Sequence, residues 1–244
     1  MSVTAQAESG ILIKEHGNAD APFGTVATIS GNAAKLYPAS TADLATWYHS
    51  NSTQADQAQG GTNNTQGYKD ITNEKDIGSY RYVKSFAIRS ATDSPITSSK
   101  LKIKDLVVSV AGNSTVSLNN SIRIGLKLSS GGANKAPFFV YAPKTEDLAE
   151  DSTDTANYFK LNTTYVSGGA KSELKEYTAV KDTDFLLLNG DKIPADDTSL
   201  VVDVFIWYEG EDKDCMTNNI ISSNSTVLTP DTLSVSISFE RVDI

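Results

Sequence analysis

Two histidines, His16 and His49, and one cysteine, Cys215, are the side chains best suited to general-base, nucleophilic or zinc chemistry in this sequence. Neither histidine belongs to an H-E-x-x-H helix, the spacing that turns two imidazoles toward one metal. No G-x-S-x-G turn presents a serine nucleophile, and no glycine-rich loop or P-loop follows a strand to cradle a phosphate. Cys215 stands among Glu209, Glu211, Asp212 and Asp214, a negative surround that disfavours the reactive thiolate. The same acidic loop offers hard oxygen ligands of the kind calcium takes. It lacks the D-x-[DN]-x-[DN]-G order, and Lys213 stands inside it. A solvated turn followed by a short helix over Thr217 to Ile221 is the plainer reading. The residues therefore predict no catalytic site, no cofactor and no metal, and the chain reads as something other than an enzyme.

The elements that would position any site are strands. Leu200 to Tyr208 (LVVDVFIWY, reading on from Leu200) is apolar on both faces and predicts a central strand covered on each side. In Leu233 to Phe239, Leu233, Val235, Ile237 and Phe239 alternate with serines. That period of two marks one buried and one wet face. Ile122, Ile124, Leu126 and Leu128 alternate in the same way, as do Tyr80, Tyr82, Phe86 and Ile88, with Lys84 interrupting the latter set as a strand end or bulge would. Leu101 and Ile103 share a phase that slips before Leu106, Val108 and Val110, the signature of a bulge or short turn. Phe138 to Tyr141, held between Pro137 and Pro143, predicts a short strand at an edge or a sheet start.

Between these runs lie turns and loops. Phe23 to Ser30 is a β-branched run ended by Gly31–Asn32. Ser40 or Thr41 could cap one helical turn carrying Trp47 and Tyr48. Residues 51–67, rich in Gln, Asn, Thr and Gly, read as a long exposed loop, and 146–154 as an acidic solvated insert. Tyr158 to Val166, Tyr177 to Val180 and Phe185 to Leu188 are weaker strand candidates, the last stopped by Asn189–Gly190–Asp191. With about ten strands at sandwich-like spacing and no βαβ alternation, the expectation is all-β: one antiparallel, jelly-roll-like sandwich with long loops and one or two short helical turns. The domain reading is a strand segment over 1–14 followed by a single sandwich over 15–244.

Composition narrows the class further. A net charge of −9 and a pI near 4.7 argue against a nucleic-acid partner, because phosphate binding needs a basic surface. No apolar run reaches the roughly 18 residues of a membrane span. One cysteine rules out an intrachain disulfide framework, and 244 residues can bury a core without one. Sequons begin at Asn51, Asn63, Asn113, Asn119, Asn162 and Asn224, a by-product of a composition rich in Asn, Ser and Thr. No L-P-x-T-G sorting motif follows the last strand. Ala5–Gln6–Ala7 has the form of a signal-peptidase site with nothing apolar before it, so the chain is either cytosolic or already freed of a signal peptide; removal is the expectation taken.

In Ser2 to Glu8, Val3, Ala5 and Ala7 alternate with polar residues, and Ile11 and Ile13 follow a glycine. Two readings stay open: an ordinary first strand, or a strand that pairs with another subunit. Three stretches carry a resemblance. They are Leu36 to Asp43 with Trp47–Tyr48, then Tyr82 to Ser90, and above all Val204 to Cys215 closed by Leu233 to Phe239. Together they resemble the TasA/camelysin biofilm-matrix proteins, secreted by Gram-positive bacteria with a SipW-type signal peptide. The resemblance implies a jelly-roll sandwich exported to the cell surface as a structural protein. It also implies a homopolymer built by donor-strand complementation, in which the first strand of one subunit completes the next. Carried onto this chain, the subunit-interface residues would be Val3, Ala5, Ala7, Ile11 and Ile13, with identical subunits as partners and cell-surface or matrix components beside them. The alternative is a monomeric cell-surface adhesin or glycan-binding sandwich using Trp47 and Tyr48 as exposed aromatics.

Overall fold

The computed structural model describes residues 1–31, 36–41, 44–50, 68–97, 99–111, 121–128, 138–143, 158–161, 177–179, 185–186, 192–195, 200–209 and 232–243. Strands are numbered in chain order. The first sheet runs β14 (Phe185–Leu186), β9 (Ser99–Ala111), β17 (Thr232–Asp243), β1 (Ser2–Glu8) and β3 (Val26–Ser30). The second runs β13 (Tyr177–Ala179), β12 (Tyr158–Leu161), β11 (Phe138–Pro143), β10 (Ile122–Leu128), β16 (Val201–Tyr208), β7 (Tyr82–Ser90) and β2 (Ile11–Glu15). A small third sheet holds β4 (Ser40–Thr41), β5 (Trp47–Ser50) and β6 (Tyr68–Asp70), and β15 (Lys192–Ile193) pairs with β8 (Ile96–Thr97).

The two large sheets pack face to face as an all-β sandwich, because each presents one apolar row. From the first come Ala5, Ile103, Ile237 and Phe239; from the second, Phe86, Ile124 and Ile206, all in one buried cluster. β17 buries every second residue from Leu233 to Phe239, as its alternation requires. The phase slip in β9 is a bulge: Ser238 faces Asp105 while Phe239 faces Ile103, leaving Lys104 unpaired. The extra residue returns Leu106 to the same buried face as Leu101 and Ile103.

β16 is covered on both faces, as its unbroken apolar run predicts. Val202, Val204 and Ile206 enter the main core. Phe205 and Trp207 point the other way, into a second cluster with Leu44, Trp47, Ile71 and Val140. The Trp47 ring meets Trp207 edge-on at 5.3 Å and stacks on Phe205 at 6.0 Å, and the Arg81 guanidinium lies 5.0 Å from the Trp47 centroid. Gly125 makes room for this layer. A Cβ there would lie 2.6 Å from Leu44 Cδ2.

Several expectations are corrected. Trp47 lies in a strand, not a helical turn: Thr41 Oγ1 accepts the Leu44 N–H and donates to the Thr46 carbonyl, closing a reversal in which Leu44 takes a φ of 55°. The one described helical turn is a 3₁₀ turn at Ile77–Ser79. Among the described residues seventeen strands replace about ten, because β4, β6, β8 and β15 add pairings of only two or three residues, too short to show a period in the sequence. β11 is not an edge strand; it lies between β10 and β12, with Pro143 its last residue, where a missing N–H interrupts little. Lys84 causes no bulge: pairing with β16 is continuous through it, and its ammonium rests 5.2 Å from the Tyr82 centroid. Glu209 is fully buried rather than solvated, and its carboxylate accepts the Trp207 indole N–H at 3.2 Å. Among the described residues the strands β1 and β17 pair in parallel rather than antiparallel. Residues 51–67, 146–154 and 210–231, with Cys215, the remainder of the acidic loop and the expected helix at Thr217 to Ile221, lie outside the described residues.

Candidate assembly site

β1 occupies a slot inside the first sheet. On one side it runs parallel to β17, pairing Val3 with Val235, Ala5 with Ile237 and Ala7 with Phe239. On the other it runs antiparallel to β3, pairing Val3 with Ile29 and Ala5 with Ala27. Its inward side chains are small where the neighbours on β17 are large, so the row fills without overpacking. Val3 and Ala5 are fully buried, and Ala7 nearly so.

The outward face of the slot is knitted by hydroxyls. Ser2 Oγ lies 3.0 Å from Ser234 Oγ, and Thr4 Oγ1 lies 3.0 Å from Thr28 Oγ1. At the strand's start the Met1 ammonium and carbonyl both pair with the Gly31 backbone, each at 3.1 Å. The Tyr82 hydroxyl donates to the Met1 carbonyl at 3.5 Å. Burial, and then the nearby Glu15 carboxylate, push the Tyr82 phenol above its usual range.

The far end carries charge. Lys104, the bulge residue, donates to Glu8 Oε2 at 2.5 Å. That hydrogen bond and the attraction of the carboxylate raise the ammonium above its ordinary value. Ser9 Oγ donates to Glu240 Oε1 at 3.4 Å, and Glu240 lies 3.9 Å from Lys102. The bulge therefore aims a cation at the last residue of β1.

Ser9 and Gly10 then carry the chain from one sheet to the other. Both have left-handed backbones, with φ of 58° and 79°. β2 follows at the edge of the second sheet, pairing with β7, and buries Ile11 and Ile13. A bridge from Ile13 to Gly24 ties β2 to the approach of β3. The five interface residues expected from the sequence thus share one core cluster, but they divide between two strands in opposite sheets.

Sequence reasoning missed the partners that hold β1: Ile29, Lys104, Glu240 and the Ser9–Gly10 turn. The Ser–Gly step between two alternating runs carried the signal for the last of these; nothing local marked the others. Trp47, expected as an exposed aromatic, is buried, and the side chain of Tyr48 lies outside the described residues. His16 is exposed on the turn after β2. Among the described residues no group of three or more His, Cys, Asp and Glu is placed to hold a metal, and no helix is long and apolar enough to cross a membrane. Set against family models, curated proteins and solved structures, the chain matches none.

Proposed function

We propose that the chain is an extracellular, non-catalytic structural subunit that assembles head to tail into surface or biofilm-matrix fibres. Each subunit lends β1 to the slot between β17 and β3 of the next. The observation that carries this reading is the placement of β1 between two strands that do not pair with each other. Withdrawing β1 uncovers two strand edges and an apolar trench at once, and a strand of the same pattern is what refills them. Main-chain pairing supplies affinity in such an addition, and alternate side chains supply register. A contact between unlike surfaces that does not close on itself extends as a fibre.

The surface chemistry agrees with this role. Ser2, Thr4 and Gln6 face outward against Ser234, Ser236 and Ser238, so β1 brings no charge into the middle of the sheet. The glycan-binding alternative loses one of its two named aromatics, because Trp47 is packed inside.

A disulfide lock tests the proposal. In a Cys215→Ser background, Ser2→Cys with Ser234→Cys places two thiols where the hydroxyls now touch. Oxidised as a monomer, the chain should form no filaments by negative-stain electron microscopy; reduction should restore them. Filaments from the locked monomer would contradict strand donation.

A further inference from the structure

Resting on the strand-donation reading, the geometry points to Ser9–Gly10 as the hinge of exchange, whose left-handed backbone biases the chain away from the closed monomer and toward a second copy. Ser9 has a φ of 58° and Gly10 a φ of 79°. In that region the serine Cβ crowds the following carbonyl, whereas glycine has no Cβ to crowd. The two residues adopt it because β1 must end in one sheet and β2 begin in the other. In the exchanged chain they run extended out of β2, a backbone open to any residue.

Nearly everything else cancels between the two states. The pairs of β1 with β17 and β3, the Glu8–Lys104 ion pair and the Met1–Gly31 bonds are the same contacts whether the slot belongs to the same chain or another. What remains is the turn and the protein concentration, as in any exchange of identical elements. The Ser9–Glu240 hydrogen bond, at 3.4 Å and exposed, is too long and too wet to outweigh the turn.

Two substitutions should therefore move the balance in opposite directions. Ser9→Gly removes the crowding from the closed turn, and the critical concentration for filaments should rise about tenfold. Gly10→Val sets a β-branched residue in the left-handed region, which the extended link accepts and the closed turn does not. Its critical concentration should fall about tenfold or more. A Cβ at Gly10 would meet only Arg241 Nη1, at 3.6 Å, so the effect comes from the backbone rather than from a collision.

The experiment measures critical concentration by pelleting for the full chain and both variants. Each carries the Ser2→Cys, Ser234→Cys and Cys215→Ser changes and is oxidised after assembly to report which chains are joined. Opposite shifts with chain-to-chain disulfides are the expected result. Unchanged values, or shifts of the same sign, with chain-to-chain disulfides still forming, overturn the hinge and leave strand donation standing. Absence of chain-to-chain disulfides overturns both. Should Gly10→Val fail to fold, the rise demanded of Ser9→Gly decides alone.

Discussion

Ser2 and Ser234, 232 residues apart in the chain, bring their hydroxyls to 3.0 Å across a parallel strand pair. The contact belongs to the register that places Ala5 beside Ile237 and Ala7 beside Phe239, which the apolar alternation of both strands sets. A shift of one residue would turn the alanines outward and drive Thr4 and Gln6 into the core.

The size match in the slot gives the first prediction. Ala5→Leu adds three carbons where none fit and should destabilise the chain by about 1–3 kcal/mol in urea unfolding. Ile237→Ala, on the facing strand, should cost about 2–5 kcal/mol. Together they should cost less than their sum, because the enlarged side chain enters the vacated space.

Gly125→Ala should cost about 1–3 kcal/mol, since its Cβ would lie 2.6 and 2.8 Å from the two Leu44 methyls, and Leu44, buried in the second cluster, must shift against packed neighbours to clear it. In a Leu44→Ala background the same change should cost much less. Equal costs in both backgrounds would show that the close approach is unimportant.

Arg81 lies over two rings, 5.0 Å from Trp47 and 5.7 Å from Phe205, and burial lowers its pKa. Arg81→Ala removes both the charge and the packed stem, and should lower stability by about 1–2 kcal/mol with loss of near-ultraviolet dichroism from the tryptophans. Arg81→Lys should retain part of that signal.

Alkaline pH should loosen the start of β1. Burial, and then the Glu15 carboxylate, raise the Tyr82 phenol above its ordinary value, so the folded state holds this proton more tightly than the unfolded one. The stability it contributes is present below the unfolded value and is lost as pH rises through the folded one. Lys104, raised from 10.5 by Glu8, acts in the same direction. Melting temperature should fall between about pH 9 and 12, and by less in Tyr82→Phe. An identical fall in that variant would remove Tyr82 from the account.

Much of the sandwich was legible because burial on one face writes a period of two directly into the chain. The bulge at Lys104 could be read for the same reason: Leu101 and Ile103 are out of phase with Leu106, and only an extra residue reconciles them. The third sheet could not. Its strands are two to four residues long, shorter than any period needs to declare itself, and Thr41 has the same local signature whether it caps a helix or closes a hairpin. Glu209 misled for another reason. It follows an apolar strand and opens an acidic run, yet tertiary packing buries it beside the Trp207 indole. The slot itself was half legible: the alternation of Val3, Ala5 and Ala7 marked a strand, but no local feature says that its neighbour is the last strand of the chain.

The most direct test of strand donation is to assemble the Ser2→Cys, Ser234→Cys, Cys215→Ser chain under reduction, oxidise the filaments, and run them denatured without reductant. The account predicts a ladder of covalent multimers, because residue 2 of each subunit then lies against residue 234 of its neighbour. Filaments that yield only singly crosslinked monomers would contradict it, and would return β1 to the role of an ordinary strand of its own sandwich.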